Sequence, residues 1–142
     1  MSATGGCLCG AVTYTVSDKP TKTGACHCEM CRRWSGGVYM AIHYKEDEVT
    51  IKGGEHISRY KSSDWAERCF CNICGSNLFY HVTLDGPYKG NHHIGFGTLD
   101  DPKGIPLTSE IYVDKRPDGY AFAGELETMT EAEVIALFGS PE

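Results

Sequence analysis

The sequence has 142 residues, of which 41% are hydrophobic and 23% charged, so it predicts a globular protein rather than a disordered chain. Thirteen Lys and Arg against nineteen Asp and Glu give a net charge of −6, which argues against nucleic acid as a partner because phosphate binding depends on clustered cations. No stretch approaches the roughly 18 apolar residues of a membrane span, and residues 1–6 lack the basic and apolar segments of a signal peptide. We therefore expect residues 1–142 to form one domain, located in the cytoplasm and without a membrane partner.

Most of the chain consists of strand-like runs separated by glycine and proline. Alternating, β-branched and aromatic residues predict strands at 11–16, 38–44, 49–52, 57–61, 77–82, 93–99 and 110–113. Gly53 and Gly54 separate the third run from the fourth, which predicts that these two strands form a hairpin. Short strands with frequent turns indicate a mainly β fold, either a sandwich or a barrel.

Two segments predict helices. Residues 29–34 would form one or two turns, and residues 131–138 would form a longer helix near the C-terminus. Thr130 is a favourable N-cap for the second helix, and Glu133 completes a capping box. Three apolar side chains would pack this helix on a sheet: Val134, Leu137 and Phe138. Two residues that follow would end it: Gly139 and Pro141.

Eight cysteines are unusual for a chain expected in a reducing compartment, where disulfides are rare. They fall into three groups: Cys7 and Cys9; Cys26, Cys28 and Cys31; Cys69, Cys71 and Cys74. Clustering at these spacings indicates metal ligation. Disulfides are the alternative, although C-x-C pairs bridge poorly within themselves.

Two of these groups contain a cysteine pair followed directly by glycine. Gly10 follows the first pair and Gly75 follows the second, so the backbone can turn there and direct N–H groups at the sulfur atoms. Four thiolates from two short loops are the ligand set of a structural zinc. The predicted ligands of this closed site are Cys7, Cys9, Cys71 and Cys74.

The remaining group offers three thiols within six residues: Cys26, Cys28 and Cys31. Three protein ligands and one open position are typical of a catalytic zinc. Cys69 could be a fourth ligand, or it could pack as a small buried side chain; on a strand it would share a face with Cys71. His27 lies between two of the thiols and is expected to turn away from the metal.

Three segments carry a family resemblance: GCLCGAV at 6–12, CHCEMCR at 26–32 and FCNICGSNL at 70–78. Together they resemble the glutathione-dependent formaldehyde-activating enzyme family, which shares its domain with centromere protein V and has an Mss4-like fold. The later segments GTLDDP at 97–102 and EIYV at 110–113 are also similar to that family. The resemblance extends from about residue 5 to residue 116.

The resemblance implies a zinc-dependent carbon–sulfur lyase that interconverts S-hydroxymethylglutathione with glutathione and formaldehyde. It implies a structural zinc at Cys7, Cys9, Cys71 and Cys74, and a second, catalytic zinc at Cys26, Cys28 and Cys31. Glutathione, or another small thiol, would be the co-substrate. Cys69 stands where we expect no cysteine of the family.

Three residues after the second cysteine group are candidates for substrate binding: Arg32, Arg33 and Trp34. The arginines could bind the carboxylates of an anionic, peptide-like thiol, and Trp34 could line its pocket. The alternatives are solvated helix residues for the arginines and a core position for the tryptophan.

Three function classes remain open at this point. The favoured one is the zinc-dependent lyase acting on a small thiol adduct. The second is a non-catalytic zinc-binding module that contacts protein or nucleic acid, although the acidic net charge argues against nucleic acid. The third is a metal or redox sensor that uses the three-cysteine group.

Overall fold

Two β-sheets of unequal size form most of the computed structural model, which describes residues 2–139. The strands within this range are β1 Ala3–Gly6, β2 Thr13–Val16, β3 Thr23–Cys26, β4 Tyr39–Tyr44, β5 Val49–Lys52, β6 Ile57–Lys61, β7 Ala66–Cys71, β8 Asn77–Val82, β9 His92–Gly95, β10 Leu107–Ile111 and β11 Glu127–Met129. The helices are α1 Glu29–Ser35 and α2 Glu131–Phe138. The prediction of a mainly β fold with a C-terminal helix is confirmed.

The small sheet has the strand order β1-β2-β5, and the large sheet has the order β11-β10-β3-β4-β9-β8-β7-β6. Neighbouring strands are antiparallel, except that β10 runs parallel to both β3 and β11. This order places the end of β3, and with it the cysteine group that starts at Cys26, beside the end of β10.

The large sheet is covered by apolar side chains on both faces. Ile42 on β4 belongs to the main core, which lies between the two sheets, whereas its neighbour Ala41 belongs to a smaller cluster with Cys31 and Tyr39. Because successive side chains of a strand point to opposite faces, the two clusters lie on opposite sides of the large sheet. The smaller cluster is the one that contains the α1 cysteine.

The predicted hairpin between residues 49–52 and 57–61 is wrong. The two strands form as β5 and β6, but β5 pairs with β2 in the small sheet while β6 pairs with β7 in the large one. Gly53 and Gly54 do not form a two-residue hairpin turn, because the chain continues as a 3-10 turn at Gly54–His56. This four-residue connection leads the chain from one sheet to the other.

Other boundaries differ where local geometry overrides the residue pattern. β9 ends at Gly95, since a 3-10 turn follows at Phe96–Thr98 inside the predicted strand 93–99. β10 starts before residue 110 and ends before Tyr112, whose backbone is left-handed with φ 54°. Four strands were not predicted: β1, β3, β7 and β11. Their glycine, cysteine and charged residues hide the alternation that a strand normally has.

Both predicted helices form. The capping box of α2 is confirmed, because Thr130 Oγ1 accepts from the Glu133 N–H at 3.3 Å and the Glu133 carboxylate accepts from the Thr130 N–H at 3.1 Å. No helix among residues 2–139 is both long enough and apolar enough to cross a membrane.

The predicted apolar stripe of α2 is only partly correct. Val134 is buried, but Leu137 is 62% exposed and Phe138 contacts the ring of Tyr88 rather than the sheet. The helix follows β11 at the edge of the large sheet and starts against Asp114, so only one side of its first turns faces the protein. Gly139 is its C-terminal cap, and the predicted terminator Pro141 lies outside the described residues.

Candidate metal centres

Two loops that are distant in sequence bring four thiols together. Cys7 and Cys9 follow β1, Cys71 ends β7 and Cys74 follows it, and all four sulfur atoms lie within 4.8 Å of one another. The Sγ atoms of Cys7 and Cys9 are 3.6 Å apart, and those of Cys9 and Cys71 are 3.8 Å apart. Sulfur atoms at Zn–S bonds of about 2.3 Å in a tetrahedron are about 3.8 Å apart, so this set fits a structural zinc.

Both loops turn at the glycine that follows their second cysteine. Gly10 and Gly75 have φ angles of +81° and +79°, which only glycine adopts without strain. In the first loop the backbone donates to a sulfur as predicted, since the Val12 N–H reaches Cys7 Sγ at 3.3 Å. In the second loop the Gly75 N–H instead donates to the Cys71 carbonyl at 2.8 Å. The two glycines therefore shape the thiol group.

Ser76, which the sequence patterns did not single out, connects the two loops. Its hydroxyl accepts from the Leu8 N–H at 2.9 Å and lies 3.2 Å from the sulfur of Cys74. This hydrogen bond, followed by one from the Ser76 backbone, lowers the pKa of Cys74 to about 5. The loop thus favours a thiolate at this ligand position.

The second thiol group surrounds the start of α1. Cys26 ends β3, Cys28 is the N-cap of the helix and Cys31 lies in its first turn, with all three sulfur atoms within 4.8 Å of one another. The pKa of Cys28 is lowered to about 2, first by its hydrogen bonds with the thiols of Cys26 and Cys31 and also by the Cys31 N–H, which is 3.3 Å from its sulfur. Within residues 2–139 no fourth Cys, His, Asp or Glu joins this group. Three thiols without a fourth ligand fit a zinc that keeps an open position.

Cys69 is not a member of either group, so the expectation that it could be the fourth ligand is corrected. It is fully buried in the main core, where its sulfur accepts from Arg59 at 3.5 Å. The reason is its position on β7: Cys69 shares a face with Cys71, as predicted, whereas Arg68 on the opposite face contacts Cys31. The large sheet therefore separates Cys69 from the three-thiol group.

Arg68 is a member of this site that sequence analysis missed. It is 3% exposed, its Nη1 donates to the sulfur of Cys31 at 3.6 Å, and its guanidinium lies over the rings of Trp34 and Tyr80. Its Nε is buried without a hydrogen-bond partner. The alanine, cysteines and phenylalanine around Arg68 could have indicated a buried position. The sequence patterns did not predict a strand at 66–71, so this indication was missed.

His27 turns away from the thiols, as predicted, and anchors their loop from behind. Its Nε2 donates to Glu110 Oε1 at 2.9 Å, and the hydroxyl of Tyr120 donates to its Nδ1 at 3.3 Å. Arg116 donates to the same Glu110 oxygen at 3.0 Å, so the buried carboxylate has a cationic partner. Glu110 lies in the family-like segment at 110–113, but only the pairing of β10 with β3 shows that it reaches His27. Arg116 and Tyr120 have no comparable pattern in the sequence.

The candidate substrate-binding residues lie on the exposed side of α1. Arg32 and Arg33 line an open groove whose other lining residues are Gly36, Gly37, Pro117 and Tyr120. Arg33 also pairs with Glu29 at 3.0 Å on the surface. Trp34 is half-buried and packs on Tyr39 with ring centroids 5.2 Å apart. The groove therefore adjoins the three-thiol loop through Tyr120, which bonds His27.

His92 and His93 face opposite sides of β9, as expected for neighbours on a strand. The ring of His92 packs on Phe79 at 4.8 Å, and that of His93 packs on His43 at 4.3 Å and Tyr80 at 5.4 Å between centroids. Burial lowers the pKa of His93 to about 3, so this side chain is neutral at neutral pH. Neither histidine is a member of a thiol group.

The profile of the glutathione-dependent formaldehyde-activating enzyme family matches residues 2–115. The chain belongs to this family. The resemblance predicted from the three cysteine segments is thereby confirmed. Among its relatives, an uncharacterized lyase of Schizosaccharomyces pombe is 31% identical over 131 residues, which cover 92% of this chain and 93% of the yeast protein.

One further relative and one solved structure match other shares of the chain. A protein of Aspergillus flavus, provisionally named a glutathione-dependent formaldehyde-activating enzyme, is 26% identical over 102 residues, and these cover 69% of this chain but 53% of the fungal one. The crystal structure of a Rhodobacter sphaeroides protein matches with a TM-score of 0.56 at 22% identity, over 74% of this chain and 99% of that one. This last likeness establishes a shared fold.

Proposed function

We propose that this member of the formaldehyde-activating family is a zinc-dependent carbon–sulfur lyase that interconverts a hydroxymethyl thiol adduct with the free thiol and formaldehyde. Glutathione is the thiol that we propose as co-substrate. The observation that carries the proposal is the difference between the two thiol groups, since one has four protein ligands and the other has three. The family match and the yeast relative named as a lyase support it.

The two groups have different roles in this proposal. The four-thiol group, Cys7, Cys9, Cys71 and Cys74, holds a structural zinc, and the three-thiol group, Cys26, Cys28 and Cys31, holds a catalytic one. A zinc bound by the three thiols would supply a Lewis-acidic open position that stabilises the substrate sulfur as a thiolate.

The reaction needs no oxidant or reductant. In the cleavage direction the hydroxyl group of R–S–CH₂–OH loses its proton, its C–O bond becomes the C=O bond of formaldehyde, and the C–S electron pair returns to sulfur. The same proton then accounts for the thiol product R–SH. The chain must therefore hold the adduct by its sulfur and its remote groups while the C–S bond breaks.

The residues around the groove suit that task. Arg32 and Arg33 are exposed beside the three-thiol loop, where they would bind the carboxylates of glutathione. Trp34 and Tyr39 form an aromatic wall on the inner side of α1, and this wall would keep water from the sulfur.

The domain organisation and the cellular compartment are also part of the proposal. The family match ends at residue 115, but Arg116 donates to Glu110 and Tyr120 bonds His27 and lines the groove, so we propose that residues 1–142 act as one domain. All eight cysteines are free thiols, which suits a reducing compartment such as the cytoplasm.

The proposal is tested by exchange NMR spectroscopy on mixtures of ¹³C-formaldehyde and glutathione. We expect the zinc-loaded chain to accelerate exchange between free formaldehyde and the adduct, and we expect Cys28→Ser to reduce this exchange to the uncatalysed rate. Cys69→Ala is the matched control, because it removes a buried thiol that lies outside both groups. A chain that binds two zinc ions without accelerating exchange would contradict the lyase and favour the non-catalytic module.

A further inference from the structure

Arg68 is a buried cation without a carboxylate partner. None of the ion pairs formed by residues 2–139 includes it, although it is 3% exposed. An uncompensated buried charge is strongly destabilising, so a guanidinium in this position needs a negative group nearby. Arg68 contacts the thiol group at α1, because its Nη1 lies 3.6 Å from the sulfur of Cys31.

The position of Arg68 is fixed by aromatic packing on two elements. Its guanidinium carbon is 5.3 Å from the ring centre of Trp34 and 4.9 Å from that of Tyr80. These cation–π contacts hold the charge without neutralising it. Because arginine keeps its proton in proteins, the charge is permanent.

The charge of the three-thiol site explains why this cation matters. Three thiolates and one divalent cation sum to −1, so an anionic fourth ligand would bring the site to −2 if Arg68 were absent. With Arg68 the two sums are 0 and −1. The cation therefore favours an anionic fourth ligand, whereas a neutral ligand gains little from it.

We propose that Arg68 determines the specificity of the open position for an anionic sulfur over a neutral ligand, by holding a permanent positive charge against Cys31. This inference rests on the proposed function, because it requires a metal at the three-thiol group. The expected change in affinity follows from Coulomb's law. At an effective dielectric constant of about 20, a unit charge about 6 Å away changes the affinity for an anion by a factor on the order of 10–100. Arg68 is a positioning residue in this account, since it acts through Cys31 and through its field.

The test uses the full chain loaded with Co²⁺, whose absorption bands report the sulfur ligands of each metal. Two small probes are titrated into it: 2-mercaptoethanol, which binds as an anionic thiolate and has no carboxylate, and imidazole, which binds as a neutral molecule. We expect Arg68→Gln to weaken binding of 2-mercaptoethanol on the order of 10–100-fold, and binding of imidazole by less than about threefold. Arg68→Lys, which keeps the charge, should restore the affinity for the thiol to within about fivefold of the wild type.

Arg59→Gln is the matched control. Arg59 also donates to a cysteine sulfur, that of Cys69 at 3.5 Å, but it lies on β6 and faces the main core instead of the three-thiol group. We expect this variant to bind both probes as the wild type does.

Each other outcome decides a different point. If Arg68→Gln weakens the binding of both probes equally, or of neither, Arg68 does not determine the specificity. Uptake of two Co²⁺ ions per chain in the same experiment would leave the proposed function standing. Failure of both Arg68→Gln and Arg68→Lys to fold would assign Arg68 a structural role and overturn the inference. A wild-type chain that takes up a single Co²⁺ would overturn the proposed function and this inference together.

Discussion

The four-thiol and three-thiol groups differ most in how much of the chain they connect. Cys9 and Cys71 are 62 positions apart in sequence and their sulfur atoms are 3.8 Å apart, whereas Cys26, Cys28 and Cys31 lie within six residues. A metal that joins distant segments restricts the unfolded chain strongly, and one that joins neighbours restricts it little. The first group can therefore be part of the fold while the second is free to serve chemistry.

The two thiol groups also differ in how exposed their residues are. Each group has one buried cysteine, Cys71 or Cys31, but the four-thiol group also reaches the surface, because Cys9 is exposed and Leu8 between the ligands is 89% exposed. A structural zinc in the four-thiol group would need no cover, because four thiolates would complete its coordination shell. A zinc held by the three-thiol group would keep an open position, and buried surroundings would strengthen every electrostatic interaction there.

The largest effect that would test this comparison is removal of one ligand from the four-thiol group. We expect Cys74→Ser to lose the structural zinc and to be insoluble or to melt about 10–20 °C lower, since even about 5 kcal/mol lost from a domain of this size has that consequence. Metal analysis and a thermal melt measure it, with Cys69→Ala as the control that keeps both metals. An unchanged melting temperature with unchanged zinc content would contradict a structural role.

The corresponding change in the three-thiol group should act on activity rather than on the fold. Cys28 is the N-cap of α1, and serine is a good N-cap, so Cys28→Ser preserves the helix start at a cost below about 1 kcal/mol. We expect this variant to remain folded with about one zinc per chain and to lose formaldehyde exchange. Its melting temperature should fall by less than half of the decrease seen in Cys74→Ser. If it unfolds as badly as Cys74→Ser, both groups are structural.

An intermediate effect is expected at the anchor of the three-thiol loop. His27→Gln weakens the hydrogen bonds to Glu110 and Tyr120, so the loop loses its support while its thiols remain. We expect about 10-fold weaker metal binding at the second group and unchanged binding at the first. Chelator competition measures both affinities, and His92→Gln, another buried histidine, should leave both unchanged; equal losses in the two variants would refute a specific anchor.

The smallest effect is expected in the groove. Arg32→Ala and Arg33→Ala should each raise KM for glutathione about 2–5-fold without lowering kcat, because exposed charge pairs contribute roughly 1 kcal/mol or less. Exchange of a hydroxymethyl adduct of 2-mercaptoethanol, which has no carboxylate, is the internal control and should stay unchanged. A loss of kcat with both thiols would show that the arginines act on the reacting atoms instead.

The features that could be predicted from the sequence depend on neighbouring residues. The grouping of the cysteines, the glycines at residues 10 and 75, and the capping box at Thr130 all follow from local spacing, and the structure contains each of them. The family follows from three such segments, and the profile match confirms it.

The features that could not be predicted depend on strand pairing. Arg68 reaches Cys31 because β7 and α1 meet on one face of the large sheet, and Glu110 reaches His27 because β10 lies parallel to β3. The hairpin prediction failed because β5 pairs with β2, which is distant in sequence, while β6 pairs with β7, the next strand along the chain. The cysteine spacing therefore identifies the candidate ligands, but the contact of Arg68 with these thiols depends on the strand topology.

The central claim is that the two groups hold two metals, one closed by the protein and one open to a thiol. Anomalous diffraction at the zinc edge from crystals soaked with glutathione tests it most directly. We predict two zinc peaks, one surrounded by the sulfur atoms of Cys7, Cys9, Cys71 and Cys74, and the other by those of Cys26, Cys28 and Cys31 together with the sulfur of glutathione. A single zinc peak, or a second zinc closed by a fourth protein ligand, would contradict the claim.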